Sequence, residues 1–364
     1  MSSEFPFLIY YIGLLIATIF LSRFLFSKYV QFAKNYNLNV RKAQKGFAFT
    51  GGGVVFASVV MVSSLVMENL DFVQFSNFSP IIATAILISV LGFYNDLINI
   101  SPFSKYIILT FLILMLLYSN STVPVIRNLN GFLGLYEIGF IPGLLFTSFV
   151  YLSIMNAINL TDGIDGYLAI FSIFFFISFL YTFHLNEYYT LTSTSVLIIG
   201  SSIIFLRHNL SAKGKKLFVG DSGSLFIGFW IATYLITYIS SASMAISIDS
   251  FSINIENIPI LAISMISIPV LDTLRLIFYR IIVNKSLFNN DRNHLHHILL
   301  DLGMTHLRAS IFLTLINWFN CVVLFLIEPN FNSKELTAIY ITISLSWFFF
   351  FEYLKRKKLV LNKA

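Results

Sequence analysis

The chain has 364 residues, of which 57% are hydrophobic, 17% aromatic and only 11% charged, less than half the roughly 25% charge of soluble domains. That composition excludes an ordinary water-soluble enzyme and a disordered chain, and the single cysteine, Cys321, excludes a disulfide scaffold. The net charge of +6 comes from 23 Lys and Arg against 17 Asp and Glu; with this hydropathy it points to anionic headgroups or anionic substrates and not to nucleic acid.

In chain order, apolar runs occupy residues 5–26, 47–67, 79–97, 106–121, 140–158, 167–184, 190–206, 223–242, 258–278, 310–327 and 336–354. Most approach the roughly 20 residues that cross about 30 Å of hydrocarbon as a helix. In lipid every backbone N–H and C=O must be satisfied within the segment, which unbroken Phe, Leu and Ile runs achieve as helices; a membrane β-barrel would alternate apolar and polar residues, and these do not. The expectation is an all-α polytopic membrane protein of about eleven transmembrane helices, a single integral-membrane domain over residues 1–364. Glu4 stands where a signal peptide would carry basic residues, so the first run reads as helix one.

Lysine and arginine stay on the cytoplasmic side of a membrane. With eleven spans and the N-terminus outside, every Lys and Arg except Arg127 and Lys334 falls on the cytoplasmic face, and the C-terminus lies there too. Acidic residues divide almost evenly, so the asymmetry belongs to the cations. The loops that carry candidate chemistry, around 28–46, 95–105, 156–166, 207–224 and 279–309, all share that face.

Four polar clusters stand out along the chain. Asn95-Asp96 ends the third apolar run, and an ionisable group at membrane depth is costly enough to suggest function, although a cap or a snorkelling carboxylate would also sit there. In NAINLTDGIDG, residues 156–166, Asn156 and Asn159 are three apart, as are Asp162 and Asp165, so each pair can share a helical face. Their oxygens suit a hard cation such as Mg²⁺, with a helix end and an Asp-Gly turn as the alternative. In VGDSGS, residues 219–224, Asp221 is either a second metal arm or a cap for the next helix, and Phe218 before it offers a stacking face. DRNHLHH, residues 291–297, places His294, His296 and His297 beside Arg292. Three imidazoles can ligate zinc, but with an arginine and no cysteine the set suits phosphate better, and a solvated loop is the third reading. Asp272, with Arg275 three residues on, reads as a structural ion pair. Gly51 to Gly53 lack the order of a phosphate-binding P-loop and read as a close helix contact.

Taken together, NAINLTDGIDG, FVGDSGS and DRNHLHH, with LGFYND and KGFAFTGGG as weaker matches, resemble the polyprenyl-phosphate N-acetylhexosamine-1-phosphate transferases of glycosyltransferase family 4. The likeness spans about residues 40–300 and is closest to the bacterial undecaprenyl-phosphate N-acetylglucosamine-1-phosphate branch, which is related to the phospho-N-acetylmuramoyl-pentapeptide translocases. It implies a phosphoglycosyl transferase of the inner membrane with its active site on the cytoplasmic face. The implied reaction passes sugar 1-phosphate from a UDP-N-acetylhexosamine to undecaprenyl phosphate with release of UMP, at the start of O-antigen or other cell-surface polysaccharide synthesis. It further implies Mg²⁺, with Mn²⁺ as an alternative, held by Asp221 and Asn159. Asp96 and Asp162, with the Asn95 position, would be the catalytic residues. Asp165, Phe218 and Lys45 would meet the nucleotide, and Arg292, His294, His296 and His297 the diphosphate or sugar. Membrane lipids are the remaining partners, and a homodimer stays open.

Two departures from the family pattern bear on the site. Asn95 stands where the family usually has the first of two aspartates, and a carboxamide takes no proton at neutral pH. A phosphate monoester, with a second pKa near 6, is already largely ionised near pH 7, so Asp96 alone is expected to suffice. Gln44 and Phe47 replace a favoured histidine and proline ahead of the glycines. Two other readings compete: a transporter or flippase for a lipid-linked substrate, which calls for charges near mid-span, and a non-catalytic relative, suggested by Asn95.

Overall fold

The computed structural model describes residues 4–36, 38, 48–69, 76–119, 123–211, 216–241, 247–248, 251–284 and 293–361. Among the described residues each apolar run is mostly helix. The helices are α1 Glu4–Asn35, α2 Gly52–Asn69, α3 Ser79–Ile98, α4 Pro102–Tyr118, α5 Phe140–Thr161, α6 Tyr167–Leu185 and α7 Tyr189–Asn209. They continue as α8 Gly220–Ser240, α9 Ile258–Ser264, α10 Ser267–Ile282, α11 Leu295–Asp301, α12 His306–Ile327 and α13 Ser333–Leu361. Among the described residues nine helices are long and apolar enough to cross a membrane, and the pair α9 and α10, bent by 70°, makes a tenth if taken as one span. The run predicted at 106–121 falls on α4, whose 17 residues give a rod of about 25 Å, short of the full hydrocarbon thickness. The chain is therefore a multi-pass membrane protein, and a count of eleven requires both the bent pair and this shorter helix.

The chain folds as two compact units. The first holds Met1–Pro124, Ser148–Asn159 and Leu168–Tyr234. Within it α1 lies against α7 through small residues. The Ser22 and Ser201 hydroxyls are 3.1 Å apart, and a Cβ on Gly200 would come within 2.8 Å of Thr18 Cγ2. Close approach through Ser, Thr and Gly is how helices associate where lipid removes any hydrophobic drive between them. The rings of Phe176, Phe179 and Phe183 surround Tyr234, whose hydroxyl donates to Leu191 O, so even the polar tip of this buried ring is satisfied. A short parallel ladder joins β1 Ala48–Phe49 to β2 Lys216–Leu217, in register Ala48 to Lys216 and Phe49 to Leu217.

The second unit holds Val125–Thr147, Leu160–Tyr167 and Leu235–Ala364. A two-residue hairpin, β3 Ser247–Ile248 with β4 Phe251–Ser252, precedes the bent pair. A break in an apolar helix frees backbone groups that lipid cannot satisfy. Here Asn317 of α12 fills that role: its Oδ1 accepts from Ile268 N at 3.0 Å and its Nδ2 donates to Met265 O at 2.8 Å. A second buried polar node holds the start of the bent pair. Glu328 Oε1 accepts from Asn254 N at 2.8 Å and from Asn257 Nδ2 at 2.9 Å.

Candidate active site

The β1–β2 ladder sets the Gly51–Gly53 segment against the turn that precedes α8. Gly52 N donates to Phe218 O at 3.1 Å, and Gly53 N donates to Val219 O at 3.2 Å. Glycine is obligatory at three points of this contact. A Cβ on Gly53 would lie 2.0 Å from Gly223 N, one on Gly92 of α3 would lie 2.5 Å from Asp221 O, and Gly220 has φ +68° with Asp96 Oδ2 only 2.1 Å from where its Cβ would be. Backbone thus meets backbone where α2, α3 and α8 converge, which is the role the glycine triplet's sequence context suggests.

This convergence gathers polar side chains from four distant segments around Asp221, in the first turn of α8. Its Oδ2 accepts from Asn95 Nδ2 at 2.6 Å and from Lys105 Nζ at 2.9 Å, and its Oδ1 accepts from Asn159 Nδ2 at 3.0 Å. Asn159 Nδ2 also lies 2.7 Å from Ser224 Oγ. Asp96 faces the same turn from α3, accepting from Asp221 N at 2.9 Å and Ser222 N at 3.4 Å, and the Thr50 side chain bonds it as well. It therefore caps the positive end of α8, where a carboxylate is favoured both by the helix dipole and by free amide donors. Tyr106 donates to Asn156 Oδ1, 50 residues further along the chain, anchoring the end of α5 to α4.

The donor set tests well for a hard divalent cation. Two carboxylates, Asp96 and Asp221, are balanced by one ammonium, Lys105, and carboxamide oxygens are at hand. Asn95 Oδ1 is buried and has no hydrogen-bond partner among the described residues. A buried carbonyl oxygen left unsatisfied costs free energy unless something fills it, and oxygen ligands are what Mg²⁺ prefers. Phe218 is half-buried and Lys216 Nζ lies 5.0 Å from its ring centroid, so this ring stacks with a cation.

The remaining motif residues are organised in the second unit. Asp162 is the C-cap of α5, and the Gly163 that follows leaves room for the His296 ring, whose Nε2 would be 2.1 Å from a Cβ there. The DGIDG and HLHH motifs therefore meet directly. Asp165 is buried; its backbone N donates to His306 Nδ1 at 3.2 Å, its carboxylate lies 3.4 Å from the same nitrogen, and its carbonyl accepts from Ser310 Oγ at 3.0 Å. His294 Nδ1 is 3.0 Å from Asp272 Oδ2, while Asp272 Oδ1 accepts from Leu295 N at 2.9 Å. Arg275 lies 3.4 Å from Asp272, the pair expected from sequence, and makes a shorter contact of 2.9 Å to Glu352.

Asp272, His294 and His296 offer ligand atoms within 4.8 Å of one another. Donation of the His294 Nδ1 proton to Asp272 fixes the ring's orientation and leaves Nε2 as its free nitrogen, an arrangement that an oriented imidazole and a metal ligand share. His296 stacks on His294 at 5.2 Å between centroids and lies tilted against His297 at 4.3 Å, and burial holds His296 down to about 3, so it is neutral at physiological pH. Lys45 and Arg292 lie outside the described residues. Lys105, His306 and the Asp272–His294 contact are site features that the sequence motifs do not announce. Each joins residues at least 22 positions apart.

Comparison with known proteins bears on these clusters. Residues 78–239 match the family described as glycosyl transferase family 4. The chain is 28% identical over 306 residues to decaprenyl-phosphate N-acetylglucosaminephosphotransferase of Mycobacterium leprae, covering 79% of this chain and 75% of that protein. It is 27% identical over 282 residues to undecaprenyl-phosphate alpha-N-acetylglucosaminyl 1-phosphate transferase of Escherichia coli K12, covering 76% and 72%.

Proposed function

We propose that this chain, whose residues 78–239 match glycosyl transferase family 4 and which is similar to polyprenyl-phosphate N-acetylglucosamine phosphotransferases, moves N-acetylglucosamine 1-phosphate from its UDP-linked form to undecaprenyl phosphate. UMP is released, and the step opens the synthesis of a cell-surface polysaccharide. The observation that carries this is the Asp221 constellation, in which Asn95, Lys105 and Asn159 converge on one carboxylate at a helix N-terminus while Asp96 accepts from the backbone N of the same residue. An acceptor phosphate oxygen attacks the phosphorus that bears the sugar, a new diphosphate bond forms, and the bond to the UMP phosphate breaks.

Phosphoryl transfer asks little covalent chemistry of a protein and much positioning and charge stabilisation. Asp221 and Asn159 are the residues to hold Mg²⁺, with the unpartnered Asn95 oxygen beside them; bound there, the ion would neutralise diphosphate charge. Lys105 shares Asp221 and presents ammonium protons to a phosphate oxygen. Asp96 fixes the turn that carries Asp221 by accepting two of its backbone N–H groups. The neutral amide at Asn95 lets it donate to Asp221, where a second carboxylate at 2.6 Å would repel it. In the second unit, Asp272 holds the His294 ring in one orientation. The cation distribution supports placing this chemistry on the cytoplasmic face of the inner membrane, where both the nucleotide sugar and the lipid headgroup are within reach.

The test is UMP release by the purified protein supplied with UDP-N-acetylglucosamine and undecaprenyl phosphate, with and without Mg²⁺. Asp221→Asn keeps the shape and removes the charge; a loss of at least a hundredfold in Mg²⁺-dependent turnover is expected, of the size that removal of one transition-state electrostatic contact gives. Unchanged turnover removes Asp221 from the mechanism. Mass spectrometry of the lipid product across a panel of UDP-sugars identifies the hexosamine.

A further inference from the structure

Away from the Asp221 constellation, the first unit contains a cavity of about 430 Å³ between α1 and α7. Arg23 and Ser27 line it from α1, four residues apart, Arg207 and His208 line it from α7, and Ser211 lines it from just past the end of that helix. Val30 and Ile204 supply apolar wall, and among the described residues no carboxylate lines it. The two helices touch through Thr18 with Gly200 and Ser22 with Ser201. One turn further on, Phe26 of α1 packs against Phe205 and His208 of α7, and the long basic side chains of Arg23 and Arg207 line the cavity beside that contact.

Neither Arg23 nor Arg207 has an ion-pair partner among the described residues. Two guanidinium groups without a counter-charge leave a site that calls for an anion, and planar N–H forks match phosphate oxygens. His208 Nδ1 is 3.1 Å from Ile204 O, so its proton is spent on the backbone and the two arginines supply the donors of the cavity. Beside the cavity the helices expose large apolar side chains: Phe20 at 68% and Phe24 at 57% on α1, with Ile203 and Leu210 on α7. A phosphate held by the arginines would therefore carry hydrocarbon along these faces. Basic pockets between transmembrane helices at the membrane surface take anionic lipid headgroups for this reason.

We propose that the Arg23–Arg207 cavity binds the phosphate headgroup of an anionic membrane phospholipid, as a site separate from transfer chemistry. Its lining shares no residue with the Asp221 constellation, so a phosphate seated there is bound and not consumed.

Purified protein is incubated with phosphatidylglycerol or phosphatidylcholine and the retained lipid is read by native mass spectrometry. Phosphatidylglycerol is expected to stay on the wild-type protein in preference to phosphatidylcholine. Retention should fall about fivefold for each guanidinium removed in Arg23→Gln and Arg207→Gln. Arg23→Lys with Arg207→Lys keeps the charge, so it should retain the lipid better than the glutamine pair and controls for folding. The proposal is overturned if the glutamine pair retains as much phosphatidylglycerol as wild type, or if phosphatidylcholine is held equally well. Displacement by undecaprenyl phosphate at matched concentration would give the cavity to the acceptor, and displacement by inorganic phosphate would show a free-anion site; either result also overturns it.

Discussion

Gly92 provides a sharp test of whether the site depends on backbone contact. It lies in the interior of α3, where replacing glycine by alanine in an isolated helix stabilises by about 1 kcal/mol. Here the added methyl would sit 2.5 Å from Asp221 O, 2.6 Å from Asp221 C and 2.6 Å from Ser222 Cα, all of them backbone atoms that no rotamer change can move aside. Restoring ordinary contact requires α3 and the first turn of α8 to separate by about 1 Å. Overpacking of this kind costs about 1–3 kcal/mol, which outweighs the helix gain. The functional cost is larger, because Asp221 moves relative to Asn95, Lys105 and Asn159, which now hold it at 2.6, 2.9 and 3.0 Å. A displacement of about 1 Å in a positioned group can cost about a hundredfold in rate. Gly92→Ala is therefore expected to lower the thermal midpoint in detergent modestly and UMP release by about two orders of magnitude. Gly13→Ala in α1, with nothing within 4 Å of the new methyl, is the control: it should raise the midpoint slightly and leave turnover unchanged. Full turnover in Gly92→Ala would refute the claim that close helix contact builds the site.

Two further outcomes follow from the site residues. Asn95→Asp places a carboxylate at the position now donating to Asp221 at 2.6 Å, so the variant should be less stable without Mg²⁺ and regain stability with it, while wild type is already active; a wild type without UMP release that gains it only as Asn95→Asp contradicts the sufficiency of Asp96. His296 is held at about 3 in the fold against 6.5 in the unfolded chain, chiefly by burial, so the unfolded chain takes up a proton in that window that the folded chain refuses. Its contribution to stability is complete above pH 6.5 and is lost as pH falls toward 3, with a slope of about 1.4 kcal/mol per pH unit. Unfolding midpoints followed across that range should flatten in His296→Gln, and an unchanged slope would show that another group dominates.

What was legible in the sequence and what was not divides along a physical line. Helix formation in lipid is decided within a segment, since each span must satisfy its own backbone, and among the described residues every apolar run is mostly helix. The finer geometry of a span depends on its neighbours: α4 ends after 17 residues, and α9 breaks from α10 by 70° at a point that Asn317 makes tolerable. Nothing local in the sequence around Met265 records that a carboxamide some 52 positions later will accept the bend.

The candidate site shows the same division. Asp96, Asp221 and Asn159 announce themselves because a polar residue at the end of a long apolar run is costly and needs a reason. Lys105 does not, being one more cation at a helix end, yet it makes the ion pair that balances Asp221. Gly92 looks like an ordinary small residue in an apolar helix until the backbone of α8 is found against it. Asp272 reads as the i, i+3 partner of Arg275, and that contact exists at 3.4 Å, but its tighter bonds go to His294 and to the amide of Leu295. A nearby opposite charge explains such a residue so readily from sequence that its distant partner goes unsought. In this fold the pairings that orient the reactive groups are the long-range ones, and they become visible only when the helices are brought together.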